Sequence, residues 1–180
     1  MKIQYGTSMC YPVSSMGSHV SVVPNHQLNR KTPLHTRANV AYFGTFGYEL
    51  DLNKLSDEEI SEVKQQITFM KEYRELIQFG TFYRLKSPFE GNETVWMTVS
   101  EDKKTALVFW YRERNVVNAD FTRVRLQGLD PDLIYRNEYN GTENYGDELM
   151  NLGLLTTDCT AGEPTSEDEP CTDYESEFMF

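Results

Sequence analysis

The sequence predicts an α+β fold in which one long helix is followed by an antiparallel β domain. Apolar residues recur every three or four positions between residues 57 and 79, which is the spacing of a buried helix stripe, and after Gly80 the period changes to two. We therefore expect a domain boundary near Gly80, with one domain at 1–79 and a second at 80–180. A complete (β/α)8 barrel needs roughly 250 residues, so a chain of 180 residues has room for only part of one.

The first 56 residues are predicted to contain two strands between loops. Residues 1–36 are rich in Ser, Pro, Asn and His and should be mostly loop, with one short strand at the apolar run 20–23. Residues 39–44 are apolar almost throughout, which is typical of a strand buried on both faces in a parallel sheet. We expect residues 40–43 to form that strand, with turns at Gly44 and Gly47.

The helix at 57–79 carries its own start and stop signals. The motif Ser-Asp-Glu-Glu at 56–59 is a capping box, in which the Ser56 hydroxyl and the Glu59 carboxylate each accept a hydrogen bond from an otherwise unpaired backbone N–H. Gly80 follows the last periodic residue and ends the helix.

Short strands separated by turn residues follow the helix. The candidates are 82–86, 95–100, 105–112, 123–127 and 134–139. This spacing predicts an antiparallel sheet or sandwich. Asn140-Gly141 matches a type I′ hairpin turn. The segment 158–173 is acidic, contains Pro and has too little apolar content to pack, so we expect a solvated loop.

Charge and cysteine content exclude several classes of partner and location. The formal net charge is −11, and eight of the 28 acidic residues lie from Asp158 onward with no Lys or Arg among them. A phosphate-binding surface needs a positive excess, so neither nucleic acid nor an anionic membrane is expected as a partner. No segment approaches the roughly 20 apolar residues of a membrane span, and the beginning does not resemble a signal peptide. Three cysteines without a pairing pattern favour the cytoplasm.

Few residues are candidates for chemistry. His19 lies in a small-residue turn ahead of an apolar run, a place that presents a side chain to a cleft, and it is our one candidate for substrate binding. No Cys, Asp or Glu lies at ligand spacing among His19, His26 and His35, so neither a metal nor another cofactor is expected. Glu49 and Asp51 could supply the carboxylate pair of a glycosidase, but their place just before the capping box favours a solvated connection.

Two further features favour structural roles. Cys10 has no neighbouring base or cation that would activate a thiolate, so we expect it to be buried. Aromatic residues on the strands could form a sugar-stacking platform, but alternating aromatics are more often core. These aromatics are Trp96, Phe109, Trp110 and Tyr111. The residues by themselves yield no catalytic group and no reaction.

Long uninterrupted stretches of the chain resemble glycoside hydrolase family 36. They are KIQYGTS at 2–8, CYPVSSMGSHVS at 10–21, PNHQ at 24–27, TRANVAYFGTFGYELDL at 36–52, YRELIQFGTFYRL at 73–85 and SPF at 87–89. The likeness covers residues 2 to about 155, and matches of this length are far more specific than a short motif. The acidic segment 158–173 departs from the family, whose link to the final strand is shorter.

The resemblance implies part of a retaining α-galactosidase that acts without a metal on melibiose, raffinose and related oligosaccharides. Proteins of this family have an N-terminal β-sandwich, a central (β/α)8 barrel and a C-terminal antiparallel β domain. By this likeness, residues 1–79 are the last strand and helix units of the barrel, with 40–43 as the closing strand. Residues 80–180 are then the C-terminal β-sandwich domain.

The resemblance also bears on the active site. Both catalytic Asp residues of the family precede the segment that matches residues 2–5, so neither can be placed on this chain, and we expect the isolated chain to be inactive. Barrel active sites gather at the C-terminal ends of the strands, and we expect the turns at 10–19 and 44–47 to border the galactose pocket. A homo-oligomeric parent enzyme is left open, and the start at Met1 fits a truncated gene.

A second function, from a different class, is a stand-alone β domain that binds carbohydrate or assists assembly. A stand-alone binding domain does not need a barrel strand and its helix, so the presence of both in this sequence argues against this alternative.

Overall fold

The computed structural model describes residues 1–114 and 122–155 and the backbone of a last strand at Glu175–Met179. The predicted acidic loop at 158–173 lies outside these residues, as do Cys159 and Cys171. The chain divides into two compact units, Met1–Phe79 and Gly80–Phe180, which we call the first and the second unit. The fold mixes helices with small sheets, and the sheets of the second unit are antiparallel.

Helices and strands alternate in the first unit. They are α1 (Lys2–Ser8), β1 (His19–Ser21), α2 (Leu34–Ala41), β2 (Gly47–Glu49) and α3 (Asp57–Phe79), with 3₁₀ turns at Val13–Ser15 and Leu52–Lys54. β1 and β2 pair in parallel, with His19 opposite Gly47 and Ser21 opposite Glu49. The predicted strand near residue 20 is thus present. The helix α1 was not expected, because its seven residues include Gly6 and no capping side chain.

The prediction of a buried strand at 40–43 is wrong. These residues form the end of α2 and the turn after it, and the parallel strand lies further on at Gly47–Glu49. Leu34, Ala38 and Ala41 are buried at spacings of four and three, which is the period of a helix. A short apolar run looks the same on a buried strand and on a buried helix, so only the preceding residues reveal the helical stripe.

The long helix α3 has the predicted bounds, and its capping box is formed. The backbone N–H of Glu59 donates to Ser56 Oγ at 3.2 Å, and Glu59 Oε2 accepts from the backbone N–H of Ser56 at 2.9 Å. Val63, Met70 and Ile77 are buried at intervals of two turns, so one stripe of the helix faces the core of the first unit.

Four antiparallel strands form the main sheet of the second unit. They are β3 (Thr81–Lys86), β4 (Glu93–Val99), β5 (Ala106–Arg112) and β10 (Glu175–Met179), in the order β10, β5, β4, β3. The predicted strands at 82–86, 95–100 and 105–112 are confirmed to within two residues at each end. Nearly every residue of β4 and β5 is buried, so both faces of this sheet are covered.

The rest of the second unit is built from very short pairs. β6 (Arg123–Val124) pairs with β9 (Leu154–Leu155), and β7 (Ile134–Arg136) pairs with β8 (Glu143–Tyr145), which leads into α4 (Gly146–Asn151). The predicted strands at 123–127 and 134–139 are therefore shorter than expected. A turn is present at Asn140-Gly141, but it is not type I′, because only Gly141 has a positive φ, of 72°.

The aromatic residues of the sheet are core, as predicted. The indole rings of Trp96 and Trp110 are at most 1% exposed, and the Trp96 ring stacks on the Phe109 ring with centroids 5.8 Å apart. Phe109 and Tyr111 are buried as well. No flat aromatic platform for a sugar is formed by these four side chains.

Candidate functional site

The small parallel sheet of the first unit has one covered and one open face. Val20 is 0% exposed in β1, against which α2 packs, and the Tyr48 hydroxyl donates to Gln66 Oε1 on α3 at 2.7 Å. The helices therefore cover the face that carries Val20 and Tyr48. Because side chains alternate along a strand, His19 and Glu49 lie on the opposite face, and both residues are exposed.

His19 and Glu49 contact each other across this open face. Their Nε2 and Oε2 atoms are 2.9 Å apart, and the side chains are 49% and 73% exposed. His19 stands opposite Gly47, so the contact runs diagonally toward the C-terminal end of β2. This contact is an ion pair when the His19 imidazole is protonated.

The loop at 22–33, which follows β1, is fixed at both ends by Arg37 from α2. Arg37 Nη1 donates to the Ser21 carbonyl at 2.6 Å, and Nε donates to the Thr32 carbonyl at 3.0 Å. Burial lowers the pKa of this guanidinium, and the nearby carboxylates of Glu59 and Glu62 act in the opposite direction. The two carbonyls at the base of the loop are thus held at a constant separation by one rigid group.

The middle of the same loop is folded around Asn25. Its side-chain Oδ1 accepts from the backbone N–H groups of Gln27 and Leu28 at 3.0 and 3.1 Å. Its backbone N–H donates to the Arg30 carbonyl at 2.9 Å, and its carbonyl accepts from the Asn29 N–H at 2.8 Å. The loop is therefore preformed and presents its side chains from an ordered backbone.

A cavity of about 430 Å³ lies at the other end of β2. It is lined by residues 45–48 and by side chains of α3, among them Met70 and Arg74. Burial, followed by the charge of Glu62, raises the pKa of Tyr48 in its wall to about 12. Since the cavity adjoins the beginning of β2, it is at the opposite end of the strand from Glu49.

The expectation that the turns at 10–19 and 44–47 lie at the C-terminal ends of strands is wrong. Both turns precede their strands, so they lie at the N-terminal ends of β1 and β2. The segments that follow the strands are 22–33 and 50–56. The error over 44–47 arose because the second strand was placed at 40–43, ahead of this turn.

The other candidate residues are distributed as follows. Asp51 does not pair with Glu49, because its Oδ1 accepts from both nitrogens of Asn53 at 3.0 Å. The backbone hydrogen bond from Asn53 also lowers the pKa of Asp51.

Cys10 is exposed, contrary to the expectation of burial, because it follows the end of α1 where the chain runs along the surface. His26 and His35 are exposed.

Two classes of site are missing from the part of the chain that the structure describes. There, no three His, Cys, Asp or Glu side chains are grouped closely enough to hold a metal ion. In the same part of the chain, every helix is too short or too polar to cross a bilayer.

Sequence reasoning missed the contact between His19 and Glu49. His19 and Glu49 are 30 positions apart, and only the parallel pairing of β1 with β2 brings them together. A signal was nevertheless present, since a parallel strand with helices on one side should be apolar on both faces, and His19 and Glu49 break that pattern.

Two family models match the chain one after the other. The model described as Melibiase matches residues 1–80, and that of the glycosyl hydrolase family 36 C-terminal domain matches residues 93–180. The chain belongs to glycosyl hydrolase family 36. The matched residues correspond to the C-terminal portion of the family 36 α-galactosidases.

Individual family 36 proteins are similar over most of this chain. The α-galactosidase AgaA of Geobacillus stearothermophilus is 54% identical over 154 residues, which are 86% of this chain and 21% of AgaA. The α-galactosidase Mel36A of Lactobacillus acidophilus is 49% identical over 154 residues, again 86% of this chain and 21% of the relative. The chain thus spans about a fifth of the length of these relatives.

Solved structures of the family have the same fold over this region. The α-galactosidase of Lactobacillus brevis superposes with a TM-score of 0.89 at 42% identity, over 98% of this chain and 23% of that chain. A variant of Geobacillus stearothermophilus AgaA in complex with raffinose gives a TM-score of 0.86 at 47% identity, with the same coverage of both chains.

Proposed function

We propose that this chain is the C-terminal part of a retaining α-galactosidase that removes terminal α-galactose from oligosaccharides of the melibiose and raffinose type. The observation that carries the proposal is the 54% identity with AgaA, sustained over 154 residues. AgaA variants have been crystallised with raffinose and with stachyose, which supports this substrate class.

We infer that the first unit supplies the last strands and helices of a (β/α)8 barrel and that the second unit is a C-terminal β-sandwich domain. The order β1, α2, β2, α3, with parallel strands and helices on one face, supports this inference. Parallel sheets occur almost only with both faces covered. The missing strands and the cover of the open face would come from sequence that precedes this chain in the family.

The catalytic carboxylates are also proposed to lie in that preceding sequence. A retaining glycosidase holds its two carboxyl groups about 5–5.5 Å apart, so that one attacks the sugar while the other protonates the leaving oxygen. Here the Glu49 carboxylate contacts His19 and the Asp51 carboxylate caps its own turn at Asn53. With these two carboxylates engaged separately, the chain alone is expected to release no galactose.

The alternative of a stand-alone carbohydrate-binding β domain loses its main support. Such a domain would stack sugars on exposed aromatic faces, whereas Trp96, Phe109 and Trp110 are at most 1% exposed.

A fusion enzyme tests the proposal. The region of AgaA that matches this chain is replaced by this chain, and galactose release from raffinose is measured for the fusion and for the chain alone. We expect release by the fusion and none by the chain. Either a folded fusion without activity or turnover by the purified chain would contradict the proposed function.

A further inference from the structure

The open face of β1 and β2 has the wrong chemistry for the packed interior of a barrel. In a (β/α)8 barrel the helices cover the outer face, and layers of mainly branched apolar side chains fill the interior. Val20, on the covered face, follows this rule, but His19 and Glu49 occupy the face that would point inward. Places where a sequence breaks a local rule of its fold are commonly functional.

Glu49 lies at the C-terminal end of the strands, which is the end where (β/α)8 barrels have their active sites. It is the last residue of β2 and is level with Ser21, the last residue of β1. Its carboxylate therefore belongs to the layer nearest the C-terminal strand ends, which form the catalytic face of such barrels. His19 belongs to the layer two residues below, about 7 Å along the strand, and its Nε2 reaches up to Glu49 Oε2 at 2.9 Å.

The surroundings of Glu49 also favour contact with a ligand over a purely structural role. Its side chain is 73% exposed in this chain, and exposed ion pairs add little to stability. The loop at 22–33, which begins at the same end of the sheet, is preformed by Arg37 and Asn25. A fixed carboxylate and an ordered loop at one end of the sheet are the preorganised elements that a binding pocket needs.

We propose that Glu49 accepts a hydrogen bond from a hydroxyl group of the bound galactoside, and that His19 is a positioning residue that holds the Glu49 carboxylate in place. This inference rests on the proposed function. Galactose is uncharged and offers hydroxyl donors, and a hydrogen bond from a hydroxyl to a carboxylate is shorter and stronger than one between neutral groups. A carboxylate has room for about four hydrogen bonds, so Glu49 can accept from His19 and from the sugar together.

The first test is Glu49→Gln in the AgaA fusion. The substitution keeps the shape of the side chain but removes its charge and puts an N–H donor where the sugar hydroxyl needs an acceptor. We expect KM for raffinose to rise at least about tenfold, as for the loss of a hydrogen bond to a charged group, with a smaller change in kcat. The inhibition constant of 1-deoxygalactonojirimycin should rise in parallel. Glu75→Gln, on the exposed side of α3, is the matched control and should change neither constant.

The second test separates positioning from packing at His19. His19→Gln retains an N–H donor toward Glu49, whereas His19→Leu removes it and inserts a residue of the kind that fills barrel interiors. We expect the Leu variant to bind 1-deoxygalactonojirimycin several-fold more weakly than the Gln variant, at similar melting temperatures. A purely structural role would make the two differ in melting temperature and not in inhibitor binding.

The outcomes distinguish this inference from the proposed function. A folded fusion that is inactive before any substitution contradicts the proposed function, and the inference falls with it. An active fusion whose Glu49→Gln variant binds the inhibitor as tightly as the unsubstituted enzyme overturns the inference alone. If Glu49→Gln lowers the melting temperature, the comparison of His19→Gln with His19→Leu becomes the test. Equal affinity of these two variants for 1-deoxygalactonojirimycin then overturns the inference.

Discussion

At Gly146 the absence of a side chain lets two backbone segments touch. A Cβ atom at this position would lie 1.9 Å from the Asp130 carbonyl oxygen, and the Gly146 N–H donates to the Leu133 carbonyl at 2.9 Å. We predict that Gly146→Ala lowers the free energy of unfolding by about 1–3 kcal/mol, because the backbone must move to admit the methyl group. Tryptophan fluorescence during urea denaturation measures this unfolding free energy, since both tryptophans lie in the second unit, as Gly146 does.

The matched control for this prediction is Gly91→Ala. A Cβ atom there meets nothing within 4 Å, so the change in unfolding free energy should stay within about 0.5 kcal/mol. Equal effects of the two substitutions would contradict the steric account of Gly146.

The phenol of Tyr48 makes the stability of the first unit depend on alkaline pH. Burial, with the charge of Glu62, raises its pKa from 10.0 to about 12, and burial raises the pKa of Tyr42 as well. The folded state therefore favours the neutral phenol, so the stabilisation is complete below pH 10 and is lost as the pH rises toward 12. We predict that the melting temperature, followed by circular dichroism, falls more steeply over this range for the AgaA fusion than for its Tyr48→Phe variant. Identical slopes would refute the prediction.

At the scale of single elements, α3 depends on its capping box. Ser56→Ala removes the oxygen that accepts from the Glu59 N–H, and we predict a loss of about 1 kcal/mol in unfolding free energy. Ser61→Ala, at an exposed position inside the helix, should instead stabilise by a few tenths of a kcal/mol, since Ala is the better helix former. Thermal unfolding of both variants is measured in the AgaA fusion, and a melting temperature of Ser56→Ala equal to or above that of the unsubstituted fusion would contradict the prediction.

The sequence could predict the elements that carry local signals. The cap at Ser56 and the apolar period defined α3, and runs of aromatic and β-branched residues defined β4 and β5. By contrast, β6 and β9 have two residues each, too few for any period to appear. The apolar run at 40–43 is too short for its period to distinguish a strand from a helix. Whether these residues are helical is decided by the packing of α2.

The candidate site could be predicted only in part, for a related reason. His19 was identified from its local turn, but the face that it occupies depends on pairing with a strand 28 residues further along the chain. Glu49 was weighed from the sequence only as a partner of Asp51, and its contact with His19 became visible only when β2 was located at Gly47–Glu49. Contacts of this kind are set by tertiary structure, and no local spacing encodes them.

At the scale of the whole molecule, the two units differ in the size and the burial of their sheets. The second unit has a sheet with two largely buried central strands. The first unit has a parallel sheet that, in the described residues, consists of two three-residue strands, and its face with His19 and Glu49 is open. Short parallel pairs with an uncovered face are marginal by themselves, so we expect the first unit to need the preceding barrel sequence.

Amide hydrogen exchange tests this dependence most directly, because it reads the sheet of the first unit residue by residue. The exchange rates of β1 and β2 are compared with that of β5, in the chain alone and in the AgaA fusion. We predict that β1 and β2 exchange much faster than β5 in the chain alone and about as slowly as β5 in the fusion. Slow exchange of β1 and β2 in the monomeric chain, equal to that of β5, would contradict the interpretation of the first unit as part of a barrel.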